Sequence, residues 1–265
     1  MKEKIKALCK DIEKKYNIKI LFAIENGSRA WRMHSMDSDY DIRFVFIRPV
    51  DNYLKINSEK DVINICFDKN FKDCKPEGAL IDISGFDIFK FFSLLHKSNP
   101  TTIEWLISDI VYHGKQIKSL VDYAKNKFNQ ATLFYHYQSL CKKNYLGYLK
   151  SNKMRTHKKY LYTYRGLINA LWVKEKNSIP PIKFVKAIDG VKDYLPKLII
   201  NKLKEIIKLK SQGKEKDLVD KSFPLDQFAE QFLKKEYKFE KKDSEVLKNN
   251  LDFLNKEIQK LLFQK

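Results

Sequence analysis

Glycine and proline are scarce, with 8 and 7 residues in a chain of 265. Collagen-like and linker-rich classes are excluded on that ground. No internal repeat and no low-complexity block interrupts the sequence. Four cysteines are present, Cys9, Cys66, Cys74 and Cys141, with no CxxC pair and no histidine at zinc-finger spacing. Reduced thiols in a cytoplasmic protein are the expectation. No run of about 18 uncharged apolar residues exists, so no membrane span is expected. The first residues run into a charged amphipathic stretch without an apolar h-region, and no secretory signal is expected there. Arginine is rare as well: 6 of the 52 cations, the other 46 being lysine.

Apolar residues make up 43% and aromatics 13%, which is enough for a full core and excludes general disorder. The length suits one large domain or two modest ones. The formal net charge is +19. Residues 1–110 hold 18 cations and 17 anions, whereas residues 111–265 hold 34 and 16. A lysine excess that came from coding bias should act on both halves alike. The asymmetry therefore points to a polyanion partner for the C-terminal half. A solvated lysine-rich surface is the alternative.

Ile5, Leu8, Cys9, Ile12 and Tyr16 share one helical face. Residues 18–24 read as a buried strand that stops at the turn signal Glu25-Asn26-Gly27-Ser28. Residues 41–47, 62–67 and 79–84 read as further strands. Residues 86–95 and 102–107 read as helices on either side of Asn99-Pro100. This order predicts an α+β domain with a mixed sheet over residues 1–113. Residues 114–265 read as a basic, mostly helical domain, with apolar spacing of three and four in residues 114–128, 133–150, 157–176, 194–210 and 244–263.

The chemistry-bearing segment runs from Gly27 to Arg43. Asp39 and Asp41 are two apart at a strand start, so both carboxylates point to one face. Like charges side by side raise each other's pKa unless a cation sits between them. Hard oxygen ligands suit Mg²⁺ or Mn²⁺, completed by water and phosphate. Gly27 and Ser28 lie just upstream, where bare backbone and a hydroxyl can meet phosphate oxygens. No Walker P-loop is present. Alone, Asp37-Ser38-Asp39 is also a good Asx turn. Combined with Gly27-Ser28, the strand start at Asp39 and Asp41 places triphosphate and metal together. Arg29 is either a phosphate contact or an ion-pair partner of Asp37 or Asp39.

The Gly-Ser to D-x-D spacing resembles the nucleotidyltransferase signature of the DNA polymerase β superfamily. A closer resemblance is carried by Gly27-Ser28-Arg29-Ala30-Trp31, by residues 35–43 (SMDSDYDIR) and by residues 82–87 (DISGFD). Lys97-Ser98-Asn99-Pro100, Glu104-Trp105-Leu106, Ile110-Val111-Tyr112 and Lys158-Lys159-Tyr160 with Arg165 belong to it too. Together they resemble the RNA-ligase-associated nucleotidyltransferases, the polymerase-β-like RNA-repair family, over most of residues 20–185. Phe86 stands where that family's pattern has Trp. The resemblance implies a third carboxylate from a nearby strand, and Asp82 is the candidate: in an otherwise apolar strand it is costly without a partner. Asp39, Asp41 and Asp82 are then the catalytic and metal-binding set, with Gly27, Ser28 and Arg29 for the nucleotide. Asp87 fits a helix cap better than a ligand. Thr101 and Glu104 fit a capping box. Trp31 and Trp105 read as core or pocket wall, and His34 as a surface residue.

In residues 157–176, Lys158, Tyr162, Arg165 and Asn169 share one helical face. Lys158, Tyr162 and Arg165 are candidates for contacting acceptor or phosphate, because guanidinium forks suit such oxygens. The expected activity is metal-dependent, template-independent transfer of an NMP from an NTP to an acceptor hydroxyl, with RNA as acceptor. An RNA ligase or other repair partner is implied by resemblance alone. Two other readings are a protein or small-molecule acceptor, as in toxin or antibiotic-modifying types, and a non-catalytic RNA-binding module.

Overall fold

The computed structural model describes residues 1–57, 59–151, 155–214, 217–239 and 244–263, without the side chains of 244–249. Helix α1 (Lys2–Tyr16) buries Ile5, Cys9 and Ile12 and ends in a left-handed cap at Asn17. Strand β1 (Lys19–Asn26) runs straight into a one-turn helix, α2 (Gly27–Ala30). Next come β2 (Tyr40–Ile47), α3 (Val50–Tyr53), β3 (Val62–Phe67) and β4 (Ile81–Asp87). Helices α4 (Ile88–His96) and α5 (Pro100–Ile107), strand β5 (Val111–Gly114) and helix α6 (Lys118–Lys127) follow.

The sheet order is β3-β4-β2-β1-β5. Only the central β2–β4 pair is parallel. Alternation sorts its two faces. Ile42, Phe44, Phe46, Ile63, Ile65, Ile81 and Ile83 form one core with α1. On the other face, Phe86 and Phe91 pack against the fully buried Trp105. That packing assigns Trp105 to the core.

The chain forms two compact units. The first comprises residues 1–30, 39–128 and 242–265, so the last helix, α12 (Ser244–Phe263), belongs to the sheet unit. It packs on α4; Ser119 donates to Glu257, and the rings of Tyr123 and Phe253 stack at 5.5 Å. The second unit comprises residues 31–38 and 129–241.

That second unit is helical: α7 (Gln130–Asn144), a π-helical turn at Tyr145–Lys150, α8 (His157–Lys176), α9 (Phe184–Gly190), α10 (Lys197–Ser211) and α11 (Phe223–Lys234). Helices α7 and α8 touch backbone to backbone. A Cβ at Gly166 would lie 2.6 Å from the Cys141 amide nitrogen and 2.8 Å from the Tyr137 carbonyl oxygen, so only glycine fits there. A buried ion pair staples the unit. Arg155 Nη1 reaches both Asp226 oxygens, at 2.9 and 3.1 Å, and donates to Tyr160 Oη at 2.7 Å. Tyr160 in turn donates to Asp226, which leaves no charge uncompensated in this pocket.

Candidate active site

Parallel pairing sets Asp41 of β2 opposite Asp82 of β4. Register partners share a face, so the D-x-D strand and the third carboxylate meet on the side away from the α1 core. Asp39 precedes β2 by one residue and is exposed. Asp41 and Asp82 keep side-chain exposures of 31% and 39%. All three carboxylates are therefore presented at the N-terminal ends of β2 and β4.

Gly27 is fixed by the same carboxylate. Its φ is +61°, and a Cβ there would fall 1.9 Å from Asp41 Oδ2. Any side chain would push Asp41 away, so the glycine serves close approach as well as the turn. Ser28 follows, buried. Arg29 donates from Nε to the Asp39 carbonyl at 3.1 Å, and its guanidinium lies 3.9 Å from the Tyr40 ring centroid. It thus ties the Gly-Ser turn to the start of β2 through backbone and ring.

Two charged residues at the site were not anticipated from sequence. Arg43 stands two residues after Asp41 on the same face. Its Nη2 lies 2.8 Å from Asp82 Oδ2 and 3.3 Å from Asp41 Oδ1; its Nη1 donates to the carbonyls of Ile42 and Asp82. The same i, i+2 argument that paired Asp39 with Asp41 would have found it. Glu25 was read as part of a turn, but it lies inside β1 and is fully buried. Its carboxylate accepts from the Asp41 amide at 2.8 Å and from Tyr112 Oη at 2.6 Å, while Ser108 Oγ donates to its carbonyl. Burial pushes the Glu25 carboxyl up to about 7, and the Asp41 charge pushes the same way. The bonds from Tyr112 and the Asp41 amide, and the Arg29 charge, pull it down. Burial, with Glu25 beside it, drives the Tyr112 hydroxyl well above its ordinary range.

Asp87 caps α4: it accepts from the Phe89 amide at 2.9 Å and from Tyr53 Oη at 2.8 Å. The capping box expected at Thr101 and Glu104 is replaced by Asn99, whose Oδ1 accepts from the Thr101 amide. Helix α5 begins at Pro100, two residues earlier than a Thr101 cap allows, because proline is suited to the first helical position.

In the helical unit, Lys158, Tyr162 and Arg165 lie on one half-buried face of α8, while Asn169 is buried. This face meets residue 31. The Arg165 guanidinium lies 3.6 Å from the Trp31 ring centroid, and Tyr162 packs edge-on against that ring at 5.8 Å. The Trp31 carbonyl accepts from the Phe184 amide. Trp31 is thus a packing partner of Arg165 and Tyr162.

Among the described residues, no helix is long and apolar enough to cross a membrane. The chain is 34% identical over 254 residues to "Uncharacterized protein YcgL" of Bacillus subtilis (strain 168), covering 92% of each protein. It is also similar to a nucleotidyltransferase-like protein of Exiguobacterium sibiricum 255-15, at 11% identity, covering 98% of this chain and 79% of that one with a TM-score of 0.31. The first likeness spans nearly both chains. The match that includes the Gly-Ser turn, the D-x-D strand and Asp82 extends over residues 1–260, and by it the chain belongs to the RNA repair pathway DNA polymerase beta family.

Proposed function

We propose that this chain is a metal-dependent, template-independent nucleotidyltransferase that moves an NMP from an NTP to an RNA hydroxyl and releases pyrophosphate. The observation that carries this reading is the register that sets Asp41 beside Asp82 on an open face, with Gly27 against the Asp41 carboxylate. The family supports the reaction class.

The donor chemistry fits Mg²⁺ or Mn²⁺, since Asp39, Asp41 and Asp82 offer hard carboxylate oxygens. Among the described residues no three such groups converge on one point, and Arg43 bridges two of them. Asp39, Asp41 and Asp82 would hold the ion together with triphosphate oxygens, the way Mg²⁺ is commonly bound. Such an ion supplies charge neutralisation at the triphosphate and lowers the barrier to in-line displacement.

The chain's own residues do the rest. Gly27 and Ser28 receive the phosphates at bare backbone and a hydroxyl. Arg29 holds the turn to β2. Asp82, which Arg43 contacts, faces the attacking hydroxyl and accepts its proton. The hydroxyl oxygen bonds to the α-phosphorus as the bond to the bridging oxygen breaks and pyrophosphate leaves. Positioning and electrostatics carry the rate.

RNA as acceptor is supported by charge. The helical unit holds 26 Lys and Arg against 12 Asp and Glu, and a polyanion releases counterions on such a surface. An RNA ligase or other repair partner rests on the resemblance and the family's name. A reducing cytoplasmic setting suits four free cysteines. Each labelled NTP is incubated with RNA, with lysate protein and with neither, with and without EDTA. Label should enter RNA alone and only without EDTA. Label on protein overturns the acceptor; label nowhere overturns the activity.

A further inference from the structure

The sheet carries a row of residues across its open face at the level of the candidate site. Asn26 pairs with Asp41, Asp41 with Asp82, and Asp82 with Cys66 of β3. Beyond the edge of β3 the chain doubles back. Phe67 bridges Asp73 in antiparallel fashion, and the Cys74 amide donates to the Cys66 carbonyl at 3.0 Å. Cys74 is thereby directly opposite Cys66 and extends the row by one place.

Opposed residues in an antiparallel pair share a face, with Cα atoms about 4.5–5.5 Å apart. That separation falls within the span of about 4.4–6.8 Å that a disulfide bridges. Both thiols are half-buried, whereas Cys9 and Cys141 are fully buried. Cys66 also touches the site: its Sγ lies 3.9 Å from Asp82 Oδ1, as a weak S–H donor to that carboxylate.

We propose that Cys66 and Cys74 form a reversible disulfide under peroxide, and that closing it is felt at Asp82. Cys74, the less enclosed of the two, attacks the peroxide. An S–O bond forms, the O–O bond breaks and water leaves. The Cys66 sulfur then attacks the resulting sulfenic sulfur. The S–S bond forms, the S–O bond breaks and a second water leaves, so two thiols are oxidised and one peroxide is reduced. Closure removes the S–H donor from Asp82 Oδ1 and leaves that carboxylate to Arg43 alone. Burial pushes both thiols up, helped by Asp82 at Cys66 and by Asp68 and Asp73 at Cys74.

The bond itself is independent of the proposed function; its effect on metal rests on that reading. The reduced full-length protein is treated with hydrogen peroxide, alkylated and peptide-mapped without reduction, and Mn²⁺ binding is measured by calorimetry on reduced, oxidised and re-reduced samples. A Cys66–Cys74 peptide should appear and vanish with dithiothreitol, while Cys9 and Cys141 stay unmodified. Mn²⁺ affinity should fall about tenfold on oxidation, the low end for losing an outer-shell partner, and recover on reduction. Absence of the crosslinked peptide, or capture of each thiol separately as a higher oxide, overturns the proposal. A bridge that leaves Mn²⁺ affinity unchanged overturns its link to Asp82. If Mn²⁺ binds no form, the metal reading fails, and the peptide map alone decides the disulfide.

Discussion

The sheet unit holds 26 cations against 21 anions, the helical unit 26 against 12, yet the unit closer to neutrality concentrates its charges where they face each other in the open. Arg43 serves two carboxylates that are each about a third exposed. In the helical unit the pair Arg155–Asp226 is sealed, at 7% and 5% exposure, with Tyr160 bonded to both and Arg155 donating also to the Leu149 carbonyl. A sealed pair cannot exchange partners without unfolding, so its role is structural. A half-open set can trade one partner for another, and that is what substrate binding requires. The two units thus use the same residue types for opposite ends, and solvent access separates them.

The sharpest way to break this comparison is to remove the open charges. Asp39→Asn with Asp41→Asn should cut nucleotide transfer about a thousandfold or more, with an unchanged melting temperature by circular dichroism. Equal loss of activity and fold would make the carboxylates structural after all. The sealed pair should behave in the reverse manner. Asp226→Ala removes the carboxylate that faces the buried Arg155 charge, and should cost about 3–5 kcal/mol in urea unfolding.

A third test concerns pH. The folded-state value of Glu25 is raised from 4.5 to about 7 by burial. The folded protein therefore binds the proton more tightly than the unfolded chain. That contribution is complete below about pH 4.5 and is lost as pH rises through about 7. It amounts to roughly 3 kcal/mol across the window. Urea unfolding of the wild type should show this decline relative to Glu25→Gln, which lacks it; parallel pH profiles would refute the assignment.

The smallest effect should come from the α8 face. Lys158→Glu with Arg165→Glu should weaken RNA binding and lower the salt slope by about 2–4, while NTP binding without RNA persists. Loss of NTP binding instead would reassign those residues to the triphosphate. No change in either would make the face ordinary surface.

Much of the sheet unit was legible because its cues are local. The strands read at residues 41–47 and 62–67 match β2 and β3 to within a residue, and the apolar frame around Asp82 singled it out. What was missed depends on contacts distant in sequence. Glu25 looks like a turn residue until Tyr112, 87 positions on, is brought to it. Arg43 reads as an ordinary strand charge until β4 arrives beside it. Helix α11 went unmarked although Leu225, Ala229 and Phe232 recur at helical spacing and are buried, and the sequence does not say that α12 joins the sheet unit or that residues 31–38 join the helical one. Asn99 outcompeted Thr101 as cap because Pro100 already starts the helix.

The pairing of Asp41 with Asp82 has one more consequence. Nothing in either carboxylate attracts the other, so their adjacency is imposed from beneath, by Ile42, Ile81 and Ile83, all fully buried on the opposite face. Those isoleucines act as a ruler. Slipping β4 by one residue would bury Asp82 in the α1 core and expose Ile81 and Ile83 at once. The greasy side of the sheet therefore measures out the acidic side, and core substitutions that loosen the strand pairing should blur the chemistry before they unfold the protein.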